Sequence, residues 1–220
     1  MNISPRYTDK HWKAAFAVAE DWTYAINIVE DRIRGRWLNA ADRLLSEPYS
    51  GFAILALDCI VLESLWGFMN GEAVARGKEQ QVYREMLTGP KFAWTDALSE
   101  DFLVRNGVIH DAETRRGWLI GKTVPSSVMR QPEKHGGYKL NRTKFHHAVK
   151  VTFEDWVAKL RAGDADLRSK MRRRMNQIIS KHFAVNLPHG PLNKSISQNK
   201  GDTKCQQRHR RSHQTTSNAI

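Results

Sequence analysis

The sequence predicts an all-α protein: a helical bundle with a small inserted loop or β-hairpin and additional C-terminal helices. Three observations carry this. Apolar residues recur at steps of three and four through the first third of the chain. Residues 52–69 form an almost uninterrupted apolar run. Turn-rich, short apolar stretches are confined to the region after Ile120. A 220-residue chain with 40% hydrophobic content is long enough for one domain with a buried core.

Taken in order, Trp12, Ala15, Ala19, Trp22, Ile26, Val29 and Ile33 lie on one stripe, predicting a single long helix. Trp37, Ala41 and Leu44 extend it with slight drift, and the SEPYSG stretch ends it. Ser50 or Gly51 opens a second helix, apolar on almost every side and therefore central. Its two carboxylates, Asp58 and Glu63, are costly there unless paired or near solvent, and their spacing of five sends them in different directions. Lys78 to Leu87 predicts a short helix before the TGP break at Thr88 to Pro90. Asp96 or Ser99 opens the next, with Leu98, Phe102, Leu103, Val108 and Ile109 as its apolar positions.

After Ile120 the pattern changes. Pro125, Pro132 and the Gly136-Gly137 pair predict a loop and a small hairpin. Phe153, Trp156, Val157 and Leu160 mark a short helix, and Asp164 caps another carrying Leu167, Met171, Met175 and Ile178. The expected organisation is one helical domain over residues 1–187, elaborated from about residue 121, then a disordered basic tail over 188–220 that is nearly free of hydrophobic residues.

The net charge of +12 is unevenly placed: residues 1–110 hold 12 basic and 15 acidic side chains, residues 111–220 hold 23 and 8. A near-neutral half joined to a strongly basic one predicts a polyanion-attracting face or arm. Arg168, Lys170, Arg172, Arg173 and Arg174 concentrate on the last helix, where they form either a solvated face or a nucleic-acid contact. Two cysteines, Cys59 and Cys205, build neither a disulfide scaffold nor a cysteine-rich zinc site. With an N-terminus lacking an apolar signal segment, and an apolar run broken by Asp58 and Glu63, the expectation is a cytoplasmic protein without a membrane span.

One short segment points to a chemistry. Arg105 to His110 reads RNGVIH: a guanidinium able to fork onto a phosphate, a polar amide at Asn106, and an imidazole that carries protons near neutrality. On a helix the arginine and histidine stand about 140° apart, so one rigid helix cannot close both onto a single phosphate. Two such helices meeting across a two-fold axis can, which implies a composite site in a homodimer. Gly107 marks either a close backbone approach or a fraying helix end. Elsewhere, the adjacent His146 and His147 suggest surface or RNA contact rather than zinc, and HGGY at His135 to Tyr138 suggests a turn. No metal or cofactor pattern is evident.

The order of helices, an apolar helix with internal acids followed by a helix ending in Arg-Asn-x-x-x-His, resembles the HEPN superfamily over about residues 10–120. That resemblance implies an endoribonuclease needing no metal, acting as a homodimer on RNA in a toxin-antitoxin or antiviral-defence setting, with an antitoxin or defence-system partner. It assigns Arg105, Asn106 and His110 to catalysis. Glu63 would correspond to the glutamate often found on a preceding helix, although a structural salt bridge or an exposed edge is the more ordinary use for it. Two other readings stand beside it: a non-catalytic helical module binding nucleic acid, nucleotide or protein, and a DNA-binding regulator inserting its basic helix into a groove.

Overall fold

In the computed structural model the described residues are 1–92, 94, 118–121, 130–132 and 138–185. They belong to one compact unit, Met1–Asn186. The Arg105–His110 segment and the tail over 188–220 lie outside them.

The predicted first helix is three pieces. Helix α1 (Asp9–Ala14) stops, and α2 (Trp22–Ile33) begins after a seven-residue connection closed by the Asp21 amide, which donates to the Ala15 carbonyl. Asp21 then caps α2 through the Tyr24 amide at 2.9 Å. The break is tertiary in origin: folding back lets Phe16 pack edge-on against both Trp12 and Trp22, with ring centroids 5.1 and 5.2 Å apart. Ala19, placed on the stripe by periodicity, is exposed in the turn. A π-helical turn, Arg34–Leu38, then joins α2 to α3 (Asn39–Leu44). Its wider winding accounts for the drift of Trp37, Ala41 and Leu44 from the earlier stripe.

Helix α4 (Gly51–Asn70) begins and ends as predicted and is the hub of the unit, packing on α3 and on α5 (Glu79–Leu87). By length and composition α4 is able to cross a membrane, but more than half of its apolar stretch is buried in this body. It ends at Gly71, which is left-handed with φ 72°. An added Cβ would also sit 2.6 Å from Nε of Arg173. Gly71→Ala is therefore expected to cost about 1–2 kcal/mol, read as a lower urea midpoint at unchanged slope.

Three strands follow: β1 (Leu119–Gly121), β2 (Arg130–Pro132) and β3 (Tyr138–Asn141), in the order β1-β3-β2. The antiparallel β2-β3 pair is the predicted hairpin, and the parallel β1-β3 pairing extends it. Strand β3 runs directly into α6 (Arg142–Arg161), capped by Asn141 on the Lys144 amide at 3.1 Å. This helix starts well before Phe153, where the apolar pattern had suggested a short one. Helix α7 (Ala165–Val185) starts on the predicted cap, with Asp164 accepting from the Leu167 amide at 3.0 Å, and packs along α4.

Candidate functional site

The two carboxylates of α4 do point apart. Glu63 faces α5, where the Tyr83 hydroxyl donates to its Oε1 at 2.7 Å. Burial, together with Cys59 and Glu63, pushes the Tyr83 phenol well above its ordinary range. The phenol therefore stays protonated and holds Glu63, which is half-buried, in one orientation.

Asp58 faces α6 and is fully buried. Its Oδ1 meets Nδ1 of His146 at 2.6 Å, while Nε2 of the same ring meets Oδ1 of Asp42 on α3 at 3.1 Å. Lys150 Nζ closes the chain onto both Asp42 oxygens at 2.9 and 3.0 Å. Burial pushes Asp58 up to about 6 against the pull of His146. Burial also disfavours the imidazolium, but hydrogen bonds and charge from Asp58 and then Asp42 outweigh it and hold His146 above its ordinary value. Burial likewise works against the Asp42 carboxylate, and Lys150 with His146 more than offsets it, so Asp42 is held low. Two carboxylates around one imidazole make the cluster take up protons. His146 is 1% exposed, so the surface or RNA contact expected of it is corrected: it ties α3, α4 and α6 together and is sealed from any substrate. His147 is exposed.

Arg142, also buried, braces the α3–α4 connection by donating to Ser50 Oγ and to the Glu47 carbonyl, both at 2.9 Å. Arg142, His146 and Lys150 recur every four residues, which is one face of a helix. That polar stripe was legible in the sequence once the segment was read as helical.

The basic residues of α7 are largely engaged within the fold. Arg168 donates to the Leu160 carbonyl at 2.8 Å and lies over Trp22; Arg172 pairs with Glu20 at 2.6 Å and lies 4.1 Å from the centre of Phe16. Arg173 donates to the Asn70 and Gly71 carbonyls at the C-terminus of α4, where a cation is favoured. Lys170 pairs with Asp166 at 2.6 Å. Among the described residues Arg174 makes one hydrogen bond, 3.4 Å to Gln177 Oε1. These five do not present one free face, although Arg172, Arg173 and Lys170 retain solvent contact.

Arg105, Asn106 and His110 lie outside the described residues; on either side of them in sequence, Trp94 and Trp118 are described. Trp94 and Trp118 stack with centroids 5.6 Å apart, and Trp94 and Phe92 pack on Phe145 of α6. Among the described residues no group of His, Cys, Asp or Glu side chains is arranged to hold a metal ion. In the Asp42–His146–Asp58 cluster the two ring nitrogens are directed to different carboxylates, which leaves no common point for an ion. No family model, no curated protein and no solved structure matches this chain.

Proposed function

We propose that the protein is a metal-independent endoribonuclease whose site is shared between two copies of the chain. The observation that carries the reading is the Arg105-Asn106-x-x-x-His110 spacing in a chain of the helical class, which resembles the HEPN superfamily. The 2′-hydroxyl of RNA attacks the adjacent phosphorus and the P–O5′ bond breaks. His110 transfers the protons, and Arg105 holds the negative charge that develops on the phosphate oxygens. The products are a 2′,3′-cyclic phosphate and a 5′-hydroxyl end, and DNA, lacking the attacking hydroxyl, is not cut.

Asn106 orients the arginine or the phosphate through its amide. Glu63, fixed by Tyr83, is the acid on the preceding helix that suits a positioning role toward a guanidinium. The stacked Trp94 and Trp118, of which Trp94 packs on Phe145 of α6, stand on either side of the motif in sequence. In the setting this resemblance implies, the protein acts as a toxin or defence effector held in check by a partner.

The test is incubation of RNA with wild-type, Arg105→Ala and His110→Ala proteins in the presence of EDTA, with the new ends identified. Cleavage that continues unchanged in both variants removes these residues from the mechanism. RNA binding without cleavage by the wild type favours the non-catalytic reading.

A further inference from the structure

Among the described residues two aromatic side chains are exposed, Tyr49 at 98% and Phe52 at 39%, and both line one cavity of about 480 Å³ at the start of α4. Tyr49 stands there against its backbone preference: its φ is 62°, and no other described non-glycine residue is left-handed. A bulky left-handed residue that carries a solvated ring is unfavourable in the free protein, and strain of this kind gathers at ligand clamps.

The same cavity is lined by Gly51, by Ile120 of β1 and by Arg142 of α6. A Cβ added to Gly51 would sit 2.8 Å from Ile120 Cγ2 and 3.6 Å from Arg142 Cδ. The glycine thus lets the strand and the arginine close on the first turn of α4. Arg142 is 4% exposed. Among the described residues its guanidinium donates to neutral oxygens alone, Ser50 Oγ and the carbonyls of Leu45 and Glu47, and its Nε has no acceptor. No side chain caps α4, because Ser50 Oγ is turned to the Leu44 and Glu47 carbonyls at 2.6 and 2.9 Å. The amides of the first turn therefore add positive potential.

A buried cation without an acid, beside an uncapped helix start, favours an anion. Two solvated rings on the same cavity favour a flat ring to lie against them. An apolar cavity of about 150 Å³ already takes benzene, so a ring and an anion fit here in one molecule.

We propose that this cavity is a nucleotide site, in which a base lies against Tyr49 and Phe52 and its phosphate is held at the start of α4 beside Arg142. The nucleotide is supplied free or as one residue of an RNA strand. The site goes beyond the cleavage reading and does not depend on it.

The test uses the full chain, with AMP, adenosine, inorganic phosphate and a short 2′-O-methylated RNA, which has no free 2′-hydroxyl to attack, as probes. Wild type is expected to bind AMP at least 10-fold more tightly than adenosine or phosphate, and to unfold at higher temperature in its presence. Tyr49→Gly removes the ring and suits the left-handed backbone, and with Phe52→Ala it is expected to weaken AMP binding about 10- to 100-fold. Val18→Ala, a change at an exposed apolar residue that does not line the cavity, should leave binding unchanged. Circular dichroism checks the fold, and Tyr49→Gly alone replaces the double variant if the latter does not fold. If RNA binding weakens in step with AMP binding, the nucleotide is a strand's; if RNA binding is unmoved, it is a free nucleotide. No AMP binding by wild type, adenosine or phosphate bound as tightly as AMP, AMP binding unchanged in the ring variants, or an equal loss in Val18→Ala overturns the site.

Discussion

Arg105→Ala and His110→Ala are each expected to lower metal-independent RNA cleavage by about two to three orders of magnitude while leaving the unfolding midpoint within experimental scatter. A positioned proton-transfer group contributes about 10²- to 10⁴-fold, and a group that stabilises developing charge about 10²- to 10³-fold. The shared-site reading adds a sharper expectation. In a two-fold dimer, each site takes its arginine from one chain and its histidine from the other. A mixed dimer of the two variants then has one site lacking both groups and one site intact. Co-refolding equal amounts should restore about a quarter of wild-type cleavage, since half of random dimers are mixed and each keeps one of two sites. Mixtures that stay as inactive as their parents would place both groups in one chain's site.

His146→Phe is expected to destabilise the fold by about 3–5 kcal/mol, the usual cost of leaving a buried charge without its partner. The charge stranded is Asp58, fully buried behind α6. Replacing both partners, as in Asp58→Leu/His146→Leu, should cost far less, because apolar pairs of similar volume substitute well for buried ion pairs. The pH dependence follows from the direction of the shifts. His146 is held above its ordinary 6.5, so the folded protein binds that proton more tightly than the unfolded chain. Its contribution is complete below pH 6.5 and is lost as pH rises through the folded value. Asp58, raised from 3.8 to about 6, acts in the same sense at lower pH. Asp42, held low, contributes above 3.8 and loses that contribution as pH falls through its folded value. Urea midpoints of the wild type should therefore fall between pH 6 and pH 9, and the double-leucine variant should lose that slope. A wild-type midpoint that rises over this window would show that His146 is neutral in the fold.

Much of the helical frame was readable from local pattern. The limits of α4 and α5, the Asp164 cap of α7, and the divergence of Asp58 from Glu63 all depend on spacing within a few residues. The beginning of α6 was not readable, because Arg142, His146 and Lys150 face inward and interrupt the apolar count that marks a helix. The break between α1 and α2 was hidden for the opposite reason. The apolar stripe continues through Ala19, while the chain turns there with Phe16 packed between two tryptophans and Asp21 closing the turn.

By itself, the sequence determined the helical class, the central place of the apolar helix, and the Arg105–His110 motif on which the functional proposal stands. Only the tertiary structure decided that Asp58 is matched by a histidine 88 positions away, and that this histidine is sealed in the core. Periodicity records which face of a helix avoids water, a property of neighbours along the chain. The partner of a buried charge comes from a distant element, and no local spacing encodes it.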